Sequence, residues 1–580
     1  MNFTKGLLVL TVLFIATLVF GTVGFMQHDA RQGFPTALYK AIQLFSLESG
    51  VVDPPTPGAL EIGRWLGLLT TLTGFVGAVA AAFHGFRAAL GIRLSGGHDI
   101  VCGAGEKGCA IAESILASGG KVAVIESDES APSIAQLRTK GAMVLLGDAR
   151  ELPILKKAGL VKASHLVCAT GDDNANLAIA MTATGSPLAA LGLKVHVHIA
   201  DVAHSDILVR NGILGGTGNQ GPNLCSFNFF RNRARSILRD FPLECDNHGQ
   251  LSDGVLLVLP TLDPLGAALV LQVALIGHYR VCAKVGIHLV GRNAERELQQ
   301  LLSHVPNFRE CADITAHAIA EDNEFSTCAA RVIAGERSKA SAFSTVFLGS
   351  LEENAALAEA LLLKERSKGS DRFRVLISAR DDSALRQIVG GQTGQDGAPL
   401  SRWIKFLPPA HAACGCDSVY AETLDEVARA VHDKWYAGNS AAIDKAEQSA
   451  DAAKVAQLRG KPAYKPWGEL TEEQKSDNRS AADHLAVKIR AAGLDPDDRD
   501  LERKWASLDT PTLDMLSRVE HQRWSAVKWL GGWQLGVRCN EQKIHDNLVP
   551  FDDLDDATKN YDLEQVKSTV ASLRGARRRE

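Results

Sequence analysis

The strongest constraint on the fold of this chain is a glycine-rich turn that follows a short apolar strand. The predicted strand covers 98–102, and the sequence Gly-Ala-Gly-Glu-Lys-Gly separates it from a helical stretch. In dinucleotide-binding folds the first glycine permits the turn, the second lets backbone approach a phosphate, and the third lets helix pack on strand. We therefore predict a phosphate-binding loop at a helix N-terminus, formed by Gly103, Gly105, Glu106, Lys107 and Gly108.

Further strands alternate with helical stretches after this loop. The strand at 121–125 ends at Glu126, an acid placed to accept hydrogen bonds from ribose hydroxyls. This alternation predicts a parallel sheet, in which ligands bind at the carboxyl ends of the strands. The polar residues that follow the later strands and become candidate ligand contacts are Asp148, Asp172 and Asn174.

A second stretch, roughly 250–412, repeats the same alternation with a weaker glycine signal. Only Gly266 stands where three glycines would be needed, and Gly291-Arg292 replaces the acid that would bind ribose. We predict a degenerate Rossmann-like domain with a role in assembly or relay. An amphipathic helix is predicted at 226–242, between the two copies. The predicted strands of the second copy are 255–259, 286–290, 346–348, 375–377 and 404–407.

Two apolar runs near the start are long enough to cross a membrane. Residues 7–26 and 65–83 are uncharged, and ~20 residues span ~30 Å of hydrocarbon. A cleaved signal peptide is the alternative for the first run, but its apolar run is longer than usual. The second run has small residues at four-residue intervals, which favours close helix packing; they are Thr70, Gly74, Ala78 and Ala82.

The segment between the runs has helical periodicity through Leu38, Ile42 and Phe45, and breaks at Gly50 and Pro54-Pro55. A short helix followed by a break resembles the pore-helix position of two-span potassium channels. No TVGYG-like run follows it, so the potassium filter is missing. An amphipathic helix on the outer membrane surface is the equal alternative.

Composition limits the possible functions. A chain of 580 residues is expected to hold three or four domains. The net charge of −5, with no strongly basic half, does not favour nucleic acid as a partner. The 11 cysteines contain no CxxC pair, which argues against zinc and fits a reducing cytoplasm.

After Cys416 the strand pattern ends and a tryptophan-rich helical region begins. Its separated motifs include Lys-Pro-Trp at Trp467, Asn478-Arg479, Glu-His-Gln-Arg-Trp at 520–524, and Gly-Gly-Trp at Trp533. These motifs indicate a small helical domain rich in tryptophan. In the purely structural interpretation, the tryptophans pack in the core and the polar residues cap helices.

The first α/β stretch resembles the TrkA-N, or RCK/KTN, regulatory domain of potassium channels and transporters. The resemblance covers about 98–240 and rests on GAGEKG, Glu126, the GDA motif at 147–149 and ATGDDNANL at 169–177. It implies a regulatory adenine nucleotide (NAD, ATP or ADP) and no chemistry on it. It also implies phosphate contacts at the three glycines, ribose at Glu126, adenine near Asp148, and Asp172 and Asn174 at the pocket mouth.

The C-terminal region, about 424–570, resembles the ryanodine-receptor repeat (RyR) domain through PW..L, N.R.A, EH.RW, GW..G and H..LVP. Bacterial proteins that join membrane spans, TrkA-N and RyR domains form a recognisable architecture. The resemblance implies a second nucleotide or second-messenger site, in which aromatic rings stack on a base and arginine holds a phosphate. Its residues would be Trp467, Asn478, Arg479, His521, Arg523, Trp524 and Trp533.

Together these features predict an α/β protein with N-terminal transmembrane helices, two Rossmann-like parallel-sheet domains and an all-α RyR domain. The predicted limits are 1–95, 96–240, 241–415 and 416–580. We expect a multi-pass inner-membrane protein with cytoplasmic C-terminal domains and no resident metal. It would be a nucleotide-sensing ligand-gated ion channel or potassium-transport regulator, and not an enzyme.

Two spans per chain cannot enclose a pore, so a homo-oligomer is expected, either a tetramer or a dimer of dimers. The alternatives are a membrane-anchored, second-messenger-responsive signalling or defence protein without ion selectivity, and an NAD-dependent enzyme. The missing filter keeps the first alternative open. The glycine motif alone would allow the second, but no substrate domain accompanies it.

Overall fold

The structure is a computed structural model of the whole chain. It describes residues 3–46, 55–186, 192–200, 223–281, 284–321, 324–336, 342–367, 372–379, 383–393, 399–413, 415–420 and 425–577, with backbone only for 3–9, 77–95, 223, 412–413, 417, 472 and 575–577. The chain separates into two compact units. One comprises Met1–Ser95 and Gly141–Met143, and the other comprises Gly96–Lys140 and Val144–Glu580.

The described part of the N-terminal unit has three α-helices, α1 Phe3–His28, α2 Phe34–Gln43 and α3 Gly58–Ser95, and a short 3-10 helix, Leu44–Ser46, that follows α2. The stretch Leu10–His28 of α1 has the length and composition of a membrane-spanning helix, and no other helix passes this test among the described residues. The second predicted run is helical throughout as part of α3. Its side chains from residue 77 onward lie outside the described residues, so its span stays a prediction.

Helices α1 and α3 approach so closely that glycine is required at the contact. A Cβ on Gly63 would lie 2.8 Å from the backbone nitrogen of Gly21. Farther along the same pair of helices, the hydroxyl groups of Thr17 on α1 and Thr70 on α3 lie 3.3 Å apart. Thr70, the first residue of the predicted stripe, therefore faces α1; Ala78 and Ala82 lie outside the described side chains.

Helix α2 confirms the helical periodicity predicted between the two apolar runs. Ala37 and Ala41 are buried, and a Cβ on Gly21 would lie 2.9 Å from the Cβ of Ala41. The opposite side of α2 exposes Phe34 and Tyr39. The break predicted at Gly50 and Pro54 lies outside the described residues.

The first sheet has six strands in the order β3-β2-β1-β4-β5-β6. Strand β1 pairs in parallel with β2 and with β4, and β5 pairs in parallel with β4 and with β6. The strands are β1 His98–Cys102, β2 Val122–Glu126, β3 Met143–Leu146, β4 Ala163–Cys168, β5 Lys194–His198 and β6 Asn223–Phe227. The connecting helices are α4 Glu106–Ala117, α5 Ser133–Lys140, α6 Leu152–Lys157 and α7 Asp173–Thr184.

The second sheet has the order β12-β11-β10-β7-β8-β9, so that, counted from its own first strand, it repeats the order of the first sheet. The two predicted parallel-sheet, Rossmann-like domains are confirmed. The strands are β7 Val255–Leu259, β8 Val285–Gly291, β9 Ala312–Ala318, β10 Phe343–Phe347, β11 Phe373–Ile377 and β12 Ile404–Phe406. The helices of this copy are α9 Pro264–Ile276, α10 Ala294–His304, α11 Phe308–Cys311, α12 Phe325–Glu336, α13 Glu353–Arg366 and α14 Ala384–Gly391.

Between the sheets, the amphipathic helix predicted at 226–242 begins later, because β6 extends to Phe227. We label this helix, Phe229–Asp240, α8; it is capped by the side chain of Asn228, which accepts the Arg231 N–H at 2.8 Å. Helix α8 packs on α9 through Ile237 and Leu238 in the core below the second sheet. The helix therefore directly follows the last strand of the first sheet and packs in the core of the second.

The C-terminal region is helical, as predicted, with one small addition, a two-residue parallel pair of β13 Gln534–Leu535 and β14 Ile544–His545. Val487 and Ala526 extend the core below the second sheet into this region. The helices are α15 Ala410–Ala413, α16 Cys416–Tyr420, α17 Glu426–Gln448, α18 Ala452–Arg459, α19 Glu472–Ala491, α20 Leu501–Ala506, α21 Thr510–Leu530, α22 Asp556–Lys567 and α23 Thr569–Arg577.

A buried ion cluster joins α19 to α21. Glu520 lies 2.8 Å from the Lys488 ammonium and 2.7 Å from the Arg523 guanidinium. Burial alone would raise the pKa of Glu520, but these two cations hold that pKa well below its usual value. Removing one member would leave a buried charge uncompensated, so the cluster fixes the packing of the two helices.

Candidate functional site

The predicted phosphate loop lies between β1 and α4, and each of its glycines meets a different steric demand. Gly103 has φ +98°, a left-handed conformation that favours glycine. A Cβ on Gly108 would collide with the carbonyl oxygen of Gly103, so the third glycine lets the helix pack against the turn. A Cβ on Gly105 would meet nothing within 4 Å, which places this residue on open space.

Helix α4 begins without a side-chain cap. Gly105 is its N-cap residue, and no side chain accepts a hydrogen bond from the first-turn N–H groups at this cap. The first N–H groups of a helix carry partial positive charge and lack intrahelical partners. This end of α4 can therefore hold an anion such as a phosphate.

Glu126 stands at the end of β2 and is bonded to the loop. One of its carboxylate oxygens accepts the backbone N–H of Ala104 at 2.5 Å. The other accepts the N–H groups of Ser127 at 2.7 Å and Asp128 at 2.9 Å. The acid that was predicted to bind ribose thus also joins the glycine turn to the turn after β2.

These elements surround a cavity of about 570 Å³ at the carboxyl ends of the strands. Seven of the nine predicted residues line it, namely Gly103, Gly105, Glu106, Lys107, Glu126, Asp148 and Asp172. Gly108 packs behind the loop, and Asn174 is exposed, where its backbone N–H donates to the Asp172 carboxylate at 2.9 Å. Asp172 is accordingly the N-cap of α7 as well as a lining residue.

The Asp148 end of the cavity also holds Arg150, a cation that was not predicted as part of the site. The Arg150 guanidinium forms an ion pair of 2.7 Å with the Asp148 carboxylate. Hydrogen bonds from Arg150 lower the pKa of Asp148. Arg150 itself lines the cavity. It could have been predicted from the sequence, because it directly follows the GDA motif at 147–149.

The turn after β4 is fixed by Asn176, a second residue that was not predicted as part of the site. Its side-chain oxygen accepts the Thr170 backbone N–H at 2.8 Å and the Thr170 hydroxyl at 2.7 Å. Its amide nitrogen donates to the carbonyl of His198 at 3.1 Å. Because Thr170 lines the cavity, the buried Asn176 sets the shape of the floor between β4 and β5.

Helix α8 closes one side of the cavity. Phe230 lines it, with the Lys107 ammonium 5.6 Å from the centre of its ring, and Arg233 forms an ion pair with Glu106. Lys107 also lies 3.4 Å from Nδ1 of His198. Burial lowers the pKa of Lys107 and that of His198. The loop is thus tied to a helix that also packs on the second sheet.

The residues predicted for a C-terminal cleft fall into separate groups. His521, Trp524 and Trp533 lie in one aromatic cluster with His545: the rings of His521 and Trp524 are 5.6 Å apart, and the rings of Trp533 and His545 are 6.0 Å apart. His521 is held from two sides, with Nε2 2.9 Å from the Val549 carbonyl and Nδ1 3.2 Å from Asp562.

The other predicted residues of that cleft have different neighbours. Arg479 is buried and forms an ion pair of 2.6 Å with Asp425, and Arg523 belongs to the Glu520 cluster. Asn478 donates to the Gln474 carbonyl of its own helix at 2.9 Å. Trp467 packs beside His432, with ring centres 6.0 Å apart. Both arginines are therefore paired with carboxylates of the chain.

Two segments of the chain match the models of known families. Residues 100–214 match the model of the TrkA-N domain, and residues 506–576 match that of the RyR domain. The first match contains every predicted residue of the loop and cavity. The second contains His521, Arg523, Trp524 and Trp533 but begins after Trp467, Asn478 and Arg479. No curated protein matches the chain.

Among solved structures, the chain is similar to GsuK. The structure bound to ADP is 12% identical, with 70% of this chain and 94% of that chain covered and a TM-score of 0.35. A GsuK channel bound to NAD is 12% identical, with 70% and 81% covered and a TM-score of 0.35. A third structure of the GsuK channel is 14% identical, with 70% and 94% covered and a TM-score of 0.36.

Proposed function

We propose that this chain is a nucleotide-sensing membrane protein that regulates ion transport, and that the cavity of the first sheet is its regulatory site. The observation that carries the proposal is the open N-terminus of α4 within a segment that matches the TrkA-N domain. The uncapped helix end and the bare Gly105 leave room for phosphate, while Glu126 stands at the strand end where ribose is expected.

The ligand is an adenine nucleotide, NAD, ATP or ADP. Its phosphates lie at the N-terminus of α4, its ribose hydroxyls donate to Glu126, and its adenine lies toward Asp148 and Arg150. Bound ribose replaces the N–H of Ala104 as a partner of Glu126. The nucleotide therefore acts on the same turn that holds α4, and through Arg233 and Phe230 on helix α8.

The protein senses the nucleotide without converting it. Ligand binding changes the relative stability of two arrangements of the cytosolic domains, and this difference is passed to the membrane helices. Since two helices per chain cannot enclose a pore, the working unit is a homo-oligomer, a tetramer or a dimer of dimers in the inner membrane with its α/β domains in the cytoplasm.

The test is ion flux through the purified full-length protein in liposomes while NAD, ATP or ADP is titrated. We expect flux to change with nucleotide and to stop responding in Gly105→Asp. A surface variant, Gly390→Asp, is the control, because a Cβ there meets nothing within 4 Å. Absence of flux under every ligand would contradict the transport role, and consumption of NAD would favour an enzyme.

A second candidate function follows from the segment between α2 and α3, which has no TVGYG-like filter sequence. In that case the nucleotide would switch a signalling or defence protein whose membrane part acts without ion selectivity. The same liposomes distinguish the two functions. Selective potassium flux supports transport regulation, whereas equal release of potassium, sodium and a small dye supports the non-selective alternative.

A further inference from the structure

A second and larger cavity, of about 1180 Å³, lies between the second sheet and the C-terminal helices. Its walls come from the end of α8 and the following loop, from β11 and β12, and from α19 with the turn at 493–497. Apart from Leu573, its lining residues lie outside both segments that match a known family. It also lies away from the loop after β7, where a Rossmann fold would bind a nucleotide.

A polar strip crosses the sheet face beside this cavity. Arg374 on β11 is paired in register with Thr345 on β10, and its Nε donates to the Thr345 hydroxyl at 3.0 Å. Lys405 on β12 is paired with Leu376, which has the same orientation as Arg374 because side chains alternate along a strand. The same face is otherwise apolar, since Leu257, Phe347 and Leu376 belong to the core there.

Arg374 has no ion-pair partner among the described residues, although its side chain is only 4% exposed. Nη2 of the Arg374 guanidinium donates to the carbonyl oxygens of Phe241 at 3.3 Å and Pro242 at 2.5 Å. Burial lowers the pKa of Arg374 to about 10, while Glu244 and Asp246 act in the opposite direction from a distance. A buried guanidinium bonded only to neutral oxygens is a strong site for an anion.

Lys405 reinforces this site. Its ammonium donates to the Ser401 carbonyl at 2.8 Å, and no carboxylate lies within ion-pair distance of it among the described residues. Burial lowers the pKa of Lys405, and the charge of Arg374 lowers it further. The two cations therefore repel each other, and an anion between them would relieve the repulsion.

The remaining charges of the cavity are arranged differently. Arg235 and Arg490 are neutralised by chain carboxylates, Arg235 by Asp483 at 2.7 Å and Arg490 by Glu244 at 2.5 Å. Further carboxylates line the cavity, at Asp240, Asp246, Glu426, Asp495 and Asp497. Apolar side chains also line the cavity, among them Leu238, Ile276, Val487 and Leu494.

We propose that this cavity is a second ligand site and that it binds a nucleoside phosphate. The phosphate pairs with Arg374 and Lys405, the flat base lies on the apolar wall, and amino groups of the base donate to the carboxylates at 495–497. A guanidinium and an ammonium together match a phosphate well, and the cavity is large enough for a nucleotide. The site is independent of the cavity in the first sheet.

The test is the stoichiometry of ADP binding to the full-length protein in nanodiscs, measured by calorimetry. We expect two ADP per chain in the wild type, one in Gly105→Asp, one in Arg374→Gln, and none in the double variant. One ADP in the wild type and none in Gly105→Asp would overturn this proposal and leave the first site intact. Two ADP in Gly105→Asp would instead contradict the first site.

Further variants and a second ligand test whether a loss of binding reflects misfolding, and whether the site binds any anion rather than a nucleotide. Lys405→Gln, which removes a half-buried charge, should weaken the second site at least tenfold, whereas Arg374→Lys should retain part of the affinity. Arg503→Gln, an exposed arginine paired with Asp500, is the control and should change nothing. Pyrophosphate should bind at least tenfold more weakly than ADP; equal affinity, or unchanged ADP binding in Arg374→Gln and Lys405→Gln, would overturn the proposal.

Discussion

The two Rossmann-like sheets share a strand order but differ at the loop after their first strand. In the first sheet the N-cap residue of the following helix is Gly105, which has no side chain to cap α4. In the second sheet the N-cap residue is Asp263, whose carboxylate accepts the Gly266 N–H at 2.7 Å. The third residue of both helices is a glycine, Gly108 and Gly266, so the backbones correspond.

A second carboxylate completes the closure in the second sheet. Glu297, from α10, accepts the Leu262 N–H at 2.6 Å and lies 3.1 Å from the Thr261 hydroxyl. Two acidic side chains therefore bond to donors of this loop, where a phosphate would be held in a working site. The same fold can therefore leave the first turn of this helix open, as at Gly105, or close it with a capping carboxylate, as at Asp263.

The largest expected effect comes from giving the first loop the cap of the second. Gly105→Asp places a carboxylate where the nucleotide phosphate should lie, so charge repulsion and occupied N–H groups act together. We expect nucleotide affinity at this site to fall by about 100-fold or more, which corresponds to ~2.7 kcal/mol. Calorimetry with NAD at constant salt measures it.

Gly390→Asp, which adds the same charge on α14, is the matched control for this variant and should leave NAD affinity unchanged. If Gly105→Asp binds NAD as tightly as the wild type, the open end of α4 is not the phosphate site. The two cavities would then have to be compared again, with the second as the principal one.

Pairs of histidines on neighbouring strands provide a second contrast between the sheets. Nε2 of His196 in the first sheet lies 3.0 Å from His165, and His288 and His317 in the second sheet lie 2.7 Å apart. Burial lowers the pKa of His196 to about 3, with smaller contributions from His165 and Lys194. His317 is less buried, and burial lowers its pKa as well.

The pH dependence follows from these shifts. The folded pKa of His196 lies below the ordinary value of 6.5, so the unfolded chain takes up a proton that the folded chain refuses. Stability present above pH 6.5 is therefore lost as pH falls, by about 2 kcal/mol at pH 5. Thermal midpoints at pH 7 and pH 5 should converge in His196→Gln and change less in His317→Gln; equal effects of the two variants would remove the contrast.

The sequence predicted both sheets well because apolar strands at regular spacing are a local signal. The strands β1 and β7 have the predicted bounds, and β2, β8, β10, β11 and β12 differ from theirs by one to three residues at one or both ends. The strands β6 and β9 were missed: β6, Asn223–Phe227, carries a polar pattern, and β9, Ala312–Ala318, alternates polar and small residues. Their strand state depends on pairing with β5 and β8.

The site was predictable only where the motif is contiguous. Gly103, Gly105, Glu126, Asp148 and Asp172 line one cavity, as the motif implied. Phe230 and Asn176 could not be placed, because α8 reaches the cavity from beyond the matched segment and Asn176 acts from inside a helix. Glu297 is a further case, since it closes the second loop from a position 35 residues after Leu262.

A smaller effect is expected at the acids that hold the two loops. Glu126→Gln keeps an acceptor for Ala104 but loses the charge that should strengthen ribose hydrogen bonds, so we expect about tenfold weaker NAD binding. Glu297→Gln, its counterpart in the second sheet, should leave NAD affinity unchanged. A tenfold loss in both variants would show that the second loop shares in the same binding event.

The smallest expected effect separates capping from binding. Asp263→Ala removes the N-cap of α9, and Asp172→Ala removes that of α7; each should cost about 1 kcal/mol of local stability. Hydrogen exchange in the first turn of each helix should then accelerate by roughly fivefold, as 1 kcal/mol requires.

Only Asp172→Ala should also weaken NAD binding, because Asp172 lines the first cavity whereas Asp263 bonds to a loop already closed by Glu297. If Asp263→Ala instead creates new NAD binding, the closure of the second loop rests on that one carboxylate, and the difference between the sheets is smaller than their loops indicate.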